Sequence, residues 1–411
     1  MISLKKQLTG VFATGLLVAN TLLPAAALAD TSVTISGNGA GSTSTTSLTN
    51  SNTTTAVQNN SATVTNTIDN SAQTGHNTAS GNTGGEVTVS TGNANIDTTV
   101  TNTLNGNRAA VGCCTNGTSS TTISGNGAGS ANSASLEQAN TNQLFQTNRA
   151  EVENSVTSRS VTGENTAGNN TGGTTRILTG DANIQSTVST NANANAALIG
   201  GNNGGSTGSV DITESGNGSG STNSIDTILS HDNLITQDNM AAVSNRVSSY
   251  AKSGDNNTGG NTGGSVLVLT GNANSAASVD NRVNFNVAEI DCGCLADVSA
   301  KTSGNGDGSA NSASVNLGNS AEVFQGSGEK GGNYADLLNS LGTDVQTGDN
   351  AASANTGPVM FDPVMVLTGD SNSTASVSST GNQNVFGRLA DLGGVSVSFD
   401  LQDLMTLFHF G

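Results

Sequence analysis

Four cysteines, three histidines and a few aspartates in Gly/Asn-rich stretches are the residues with which this chain could do chemistry. Cys113-Cys114 and Cys292-Gly293-Cys294 each begin 11 residues before an SGNG tetrapeptide, so they hold the same place in two copies of a repeat. Their even number points to disulfides in an oxidising compartment, whereas the CC and CGC spacings are not those of zinc knuckles and no histidine lies nearby. Of His76, His231 and His409, the first stands where other repeats carry Glu164, Asp255 and Asp349, and reads as a solvated turn residue. No GxSxG elbow is present. GxGxG occurs four times at matching positions, which marks a corner rather than a nucleotide cradle. Asp181, Asp307, Asp349 and Asp370 lie in Gly/Asn-rich turns and keep calcium open as the one ligand, although the calcium nonapeptide GGxGxDxUx is missing. No catalytic residue, cofactor or metal ligand is assigned, and the chain is not expected to be an enzyme.

The elements that carry these residues repeat. SGNGAGS begins at Ser36 and Ser124, SGNGSGS at Ser215 and SGNGDGS at Ser303, spacings of 88, 91 and 88 residues. Self-similarity at a fixed period signals an architecture in which each unit buries its apolar face by stacking on its neighbours. The expected divisions are a signal peptide over 1–29, repeats over 31–118, 119–209, 210–297 and 298–386, the last divergent, and a C-terminal cap or docking segment over 387–411. Lys5 and Lys6, the largely apolar run Val11 to Leu23 and the small-residue site Ala27-Leu28-Ala29 form the three parts of a secretory signal. The apolar run is shorter than the ~20 residues that span a bilayer, and no later segment reaches that length.

The net charge of −18 becomes −20 without the leader, because Lys+Arg falls from 12 to 10 against 30 Asp+Glu. Such a balance disfavours nucleic acid and anionic lipid as partners and suits a soluble extracellular object. Few aromatics and abundant Gly, Ser and Asn also describe disordered chains. Against disorder, only 10% of residues are charged and the three prolines are Pro24, Pro358 and Pro363, so the first three repeats have none. That is expected where nearly every backbone N–H donates to a ladder.

Aligned repeats show finer columns. Val87, Val89 and Val100 fall on Thr175, Ile177 and Val188, then on Val266, Val268 and Val279, then on Val364, Val366 and Val377. Val64 and Ile68 fall on Val152 and Val156, then on Val243 and Val247. Alternation such as Val87-Thr88-Val89 has the period of a strand. Five turn signals punctuate repeat 1: SGNGAG at Ser36, QNNSA at Gln58, TGHNTA at Thr74, TGNAN at Thr91 and NGNRA at Asn105. Gly and Asn suit sharp corners, and Asn stacked on Asn can form amide ladders. The expected fold is therefore all-β: a β-solenoid of four ~88-residue repeats, each about five short strand-turn coils, preferred over four sandwich domains because large aromatics are scarce. Coils of about 17 to 18 residues stacked ~4.8 Å apart would form roughly 20 coils and a rod about 95 Å long. The two cysteine loops would then lie roughly 48 Å apart, beyond the ~5.5 Å of a disulfide, so bridges are expected within each loop or between molecules.

Gln73-Thr74-Gly75-His76-Asn77-Thr78-Ala79 and Gln346-Thr347-Gly348-Asp349-Asn350-Ala351-Ala352 resemble the Gln, Gly, Asn and Ala series of curlin repeats, the subunits of bacterial curli fibres. The spacing has one residue fewer between Gly and Asn, and the second Gln of that motif is not regular. The resemblance implies stacked strand-turn-strand coils with inward Gln and Asn ladders and end-to-end assembly into extracellular fibres. The last repeat departs from the pattern: its SGNG-to-TGxN interval is 44 residues rather than 38, with Tyr334, Leu337, Leu338 and Leu341 at helix-like spacing. Beyond Phe386, Leu401, Leu404, Met405 and Phe408 follow a helical pattern, suited to a cap over an open solenoid end. Two functions stand: a secreted structural protein, as fibre subunit, cell-surface stalk or matrix component, and an adhesive solenoid that holds glycan, a host surface or ice on a flat Thr/Ser/Asn face. Self-association into filaments and contact with cell-surface or matrix components are the expected partnerships.

Overall fold

The computed structural model describes residues 18–23, 31–112, 119–200, 209–291, 297–325, 332–357 and 364–387. Over residues 43–74, 131–162 and 222–253 no glycine or proline interrupts a strict alternation of side chains. With nothing to break it, each stretch is one long strand rather than several short ones. The first layer holds β2 (Thr31–Ser36), β3 (Thr43–Gly75), β4 (Val87–Ser90) and β5 (Ala94–Val111). The second repeats it as β6 (Ser119–Ser124), β7 (Ala131–Gly163), β8 (Thr175–Leu178) and β9 (Ala182–Gly200). The third has β10 (Ser209–Ser215), β11 (Thr222–Gly254), β12 (Asn257–Gly259), β13 (Val266–Leu269) and β14 (Ala273–Asp291). The fourth has β15 (Asp297–Ser303), β16 (Ala310–Phe324), β17 (Asn333–Gly348), β18 (Ala351–Ser353), β19 (Val364–Leu367) and β20 (Ser371–Phe386). A further strand, β1 (Val18–Leu23), precedes them. Among the described residues there is no helix.

The protein is an all-β, solenoid-like stack of parallel strands. Each layer pairs with the equivalent strands of the next: Thr43 with Ala131 at 88 residues, Ala131 with Thr222 at 91, and Thr222 with Ala310 at 88. The offset grows to 94 between β11 and β17 and to 98 between β14 and β20, because the fourth layer is longer by six and then four residues. One repeat is thus one turn of the stack. This corrects the expected five coils per repeat and the 95 Å rod. Four layers span about 14 Å from first to last strand at ~4.8 Å spacing, while a 33-residue strand runs roughly 110 Å.

Of the five turn signals in repeat 1, three are corners: SGNGAG, TGHNTA and TGNAN fall between strands. QNNSA lies inside β3, with Gln58 and Asn60 on its inner face, and NGNRA lies inside β5. Asn105 has φ 56° and drops out of the pairing register, as do Asn193, Asn284 and Asn382 at φ 64°, 61° and 59°. This bulge-like step reverses which residues of β5 face inward, from Leu104 before it to Asn107 after it. Tyr334, Leu337, Leu338 and Leu341 belong to strand β17 and not to a helix: Leu337 and Leu341 pack on the core while Tyr334 and Leu338 point to solvent. The helical pattern at Leu401 to Phe408 and the cap expected over 387–411 lie outside the described residues apart from Gly387.

The long-strand sheet faces two others across the core, that of β2 over its first part and that of β5 over its second. The second half of β3 opposes β5 running the other way, through Asn66 with Asn102 and Asn70 with Thr98. The aligned valine columns become stacking columns: Val100, Val188 and Val279 are fully or almost fully buried in one cluster with Val156 and Val247. Each such side chain contributes roughly 1.5–3 kcal/mol.

At the corner after β3, Gly75, Gly163, Gly254 and Gly348 stack with φ between 100° and 129°. A Cβ on Gly163 would lie 1.8 Å from the carbonyl oxygen of Gly254, whereas one on Gly41 meets nothing within 4 Å. Gly163→Ala is expected to cost at least ~2 kcal/mol and Gly41→Ala about 1 kcal/mol, measured by denaturant unfolding.

Candidate functional site

Buried amides, rather than a cleft, dominate the interior. Gln58, Gln146, Gln237 and Gln325 occupy one inward column through all four layers. The Nε2 of Gln146 donates to the Oε1 of Gln58 at 2.8 Å, Gln237 to Gln146 at 2.8 Å and Gln325 to Gln237 at 2.7 Å. Each Nε2 also donates to a carbonyl of the opposite sheet, at Arg108, Ala196, Val287 and Val385. One side chain therefore ties both neighbouring layers and both sheets.

Asparagine does the same elsewhere. At the first corner the N–H of Asn38 donates to Asn126, and Asn126 and Asn217 each donate through N–H and Nδ2 to the next Asn, ending at Asn305. Ladders from Asn77 to Asn350 and from Asn82 to Asn355 hold the far end. In the core, Asn66, Asn154, Asn245 and Asn339 form a ladder, as do Asn107, Asn195, Asn286 and Asn384. In all of these, and in the Asn105 to Asn382 column, the Nδ2 of one layer donates to the Oδ1 of the layer after it. Each column thus has its own donor direction; the Gln58 to Gln325 and Asn95 to Asn372 columns run the opposite way, each later layer donating to the one before it.

Among the described residues both ends of the stack are edges without a further full layer. The strand orders leave β2, β3 and β4 unpaired on one side and β15 to β20 on the other. On the fourth layer Val298, Leu317, Val364, Val366 and Val377, whose equivalents deeper in the stack are buried, are 39–52% exposed. On the first layer Asn105 is fully buried, yet its Oδ1 has no hydrogen-bond partner.

Among the described residues, those expected to do chemistry do not converge on one site. Cys113, Cys114, Cys292 and Cys294 lie outside the described residues. The flanks of their loops are placed, however: Val111, Ile199 and Ile290 share a column, so the loop bases are two layers, about 9.6 Å, apart rather than 48 Å. At that separation distance does not exclude a bridge between the two loops. His76, Glu164, Asp255 and Asp349 do stack in one corner column, each with φ between 53° and 59°. There His76 meets Glu164, and Lys252 binds Asp255 at 2.8 Å, a contact that raises the lysine pKa. His231, in the column of Asn140 and Asn319, has its pKa lowered by burial against an opposing pull from Asp232; His409 lies outside the described residues. The four aspartates considered for calcium occupy three different corners, and Asp181 accepts from the backbone N–H of Asn272 at 2.7 Å as a ladder member. Among the described residues no three His, Cys, Asp or Glu side chains converge as a metal site. Gln73 and Gln346 point outward and are exposed, whereas Asn77 and Asn350 are ladder residues. No helix among the described residues is long and apolar enough to cross a membrane. Comparison with protein families, curated proteins and solved structures finds no match.

One core column breaks the pattern. Ile35, Ile123, Glu214 and Thr302 stack, and Glu214 is fully buried with Oε1 unpartnered. Desolvation raises its pKa, while the Thr302 hydroxyl and, less, the backbone of Ser312 oppose the shift. The folded state thus holds this proton more tightly than the unfolded chain. Stability falls as pH rises through the ordinary carboxylate range to the raised value and stays lower above it. Glu214→Gln is expected to be more stable than the parent at pH 7 and nearly equal to it at pH 4, read from urea midpoints. In the amide column, Gln237→Leu strands Gln146 Oε1 and the Val287 carbonyl and is expected to cost about 2–4 kcal/mol, with Gln325→Leu at the open edge costing less in the same assay.

Proposed function

We propose that this protein is a secreted structural repeat protein, a subunit of an extracellular fibre. The observation that carries the reading is the stack with two open, directional edges, each ending in amides and backbone groups that a further layer would complete. Parallel in-register layers built this way extend without limit once one layer has formed, and thin acidic charge keeps the sides of such an object soluble. The resemblance to curlin repeats supports the same reading, and no catalytic role enters it.

The adhesive alternative calls for a regular outward array, and the outer columns drift. Thr49 is followed by Glu137, Ile228 and Asn316, and Thr55 by Gln143, Leu234 and Glu322. Outward hydroxyls that change identity from layer to layer solvate a strand but do not present a lattice to ice or glycan.

Electron microscopy and fibre diffraction of the chain freed of residues 1–29 test the reading. Unbranched filaments with a ~4.8 Å axial repeat are expected, about 110 Å across the long strands. Monodisperse single stacks at all concentrations would overturn it.

A further inference from the structure

The first-layer edge is not wholly free. β1 pairs in parallel with β5, Val18 opposite Gly106 through Leu23 opposite Val111. These are the same backbone positions that layer on layer are taken by Ala194–Ile199, then by Phe285–Ile290, then from Gln383 onward by β20. β1 therefore occupies, over six residues, the place of a layer preceding the first. It does so with the wrong residues for the ladder: Ala19 stands in register with Asn107, where the later layers carry Asn195, Asn286 and Asn384. The residue immediately before this segment is Asn105, with its buried, unpartnered Oδ1.

We propose that the fourth-layer edge of a second copy docks on the first-layer edge of this chain, and that β1 closes that edge until it is removed. The partner follows from ladder direction. Asn382 receives the Nδ2 of Asn284 on its own Oδ1, and among the described residues no later layer accepts from its Nδ2. Placed one layer below Asn105, that Nδ2 supplies the donor that Asn105 Oδ1 lacks. Asn305, Asn350, Asn355 and Asn384 likewise come under Asn38, Asn77, Asn82 and Asn107, donor to acceptor. Two fourth-layer edges brought face to face would set donor against donor and turn the strands antiparallel. The junction is heterologous, so it does not close on itself and yields a polar filament. β1 lies within the segment read as the export signal, so its loss on processing would couple assembly to export. The inference rests on the fibre reading.

The test uses the full chain with a specific protease site placed between Ala29 and Asp30, and follows elongation by light scattering and single-filament imaging. The uncut chain is expected not to elongate. The cut chain is expected to elongate, as is the uncut double variant Ala19→Pro/Thr21→Pro, whose prolines cannot donate to β5. Equal elongation of cut and uncut parent chains would overturn the role of β1 while leaving the fibre reading intact. Failure of both the cut chain and the proline variant would overturn the fibre reading and the docking with it. Asn382→Asp keeps the acceptor for Asn284 but removes the donor, and circular dichroism and thermal melting of the monomer should be unchanged. Added in small amounts to growing parent filaments, the cut Asp variant is expected to stop growth at one end only. Unaltered growth, or arrest at both ends, would overturn the head-to-tail junction.

Discussion

Each described layer of this molecule lies on the next at the spacing of a hydrogen-bonded sheet, with like residue on like in most inner columns. That register is what makes its composition tolerable. A buried amide left unpaired costs on the order of 1–3 kcal/mol, and this core holds whole columns of asparagine and glutamine. In-register stacking gives an interior amide with like neighbours a donor on one side and an acceptor on the other. Gln146 shows the completed case, accepting from Gln237 and donating to Gln58 and to Ala196. The same register explains the glycines at the long-strand corner, where successive backbones approach too closely for a Cβ.

A core of small apolar columns and amide ladders has two consequences. It needs few large aromatics, since width is set by two facing sheets and height by repetition; Phe285 is the one aromatic among its largest fully buried side chains. It also has no natural end. A globular core closes on itself, but a layer of this kind always presents the edge on which it was itself built. The exposed valines of the fourth layer and the stranded oxygen of Asn105 in the first are two faces of that single property. Outer columns are under no such constraint, which is why Thr49 can drift to Glu137 and Ile228 while Asn107 stays asparagine through four layers.

Much of this was legible in the residues. The alignment that set Val89 on Ile177, Val268 and Val366 is the stacking register itself, because identical periods place equivalent residues in one column. The absence of proline from three repeats and the capacity of asparagine for ladders were equally readable. What misled was the double nature of asparagine. In QNNSA and NGNRA it looks like a corner former, yet at Asn60 it is a straight-strand residue bound across the core to Asn107 and at Asn105 a bulge. Likewise the leucines around Leu338 fit a helical spacing, but an adjacent strand offering sixteen backbone partners decided for β17.

The period, the strand character, the columns and the stacking of amides, without its direction, follow from side-chain type and spacing and were readable in the chain. How much chain makes one turn was chosen by the fold. That choice depends on whether a strand pairs with its neighbour in sequence or with its copy 88 to 98 residues away, and the distant pairing wins because it sets the glutamine column and most buried asparagines on their like.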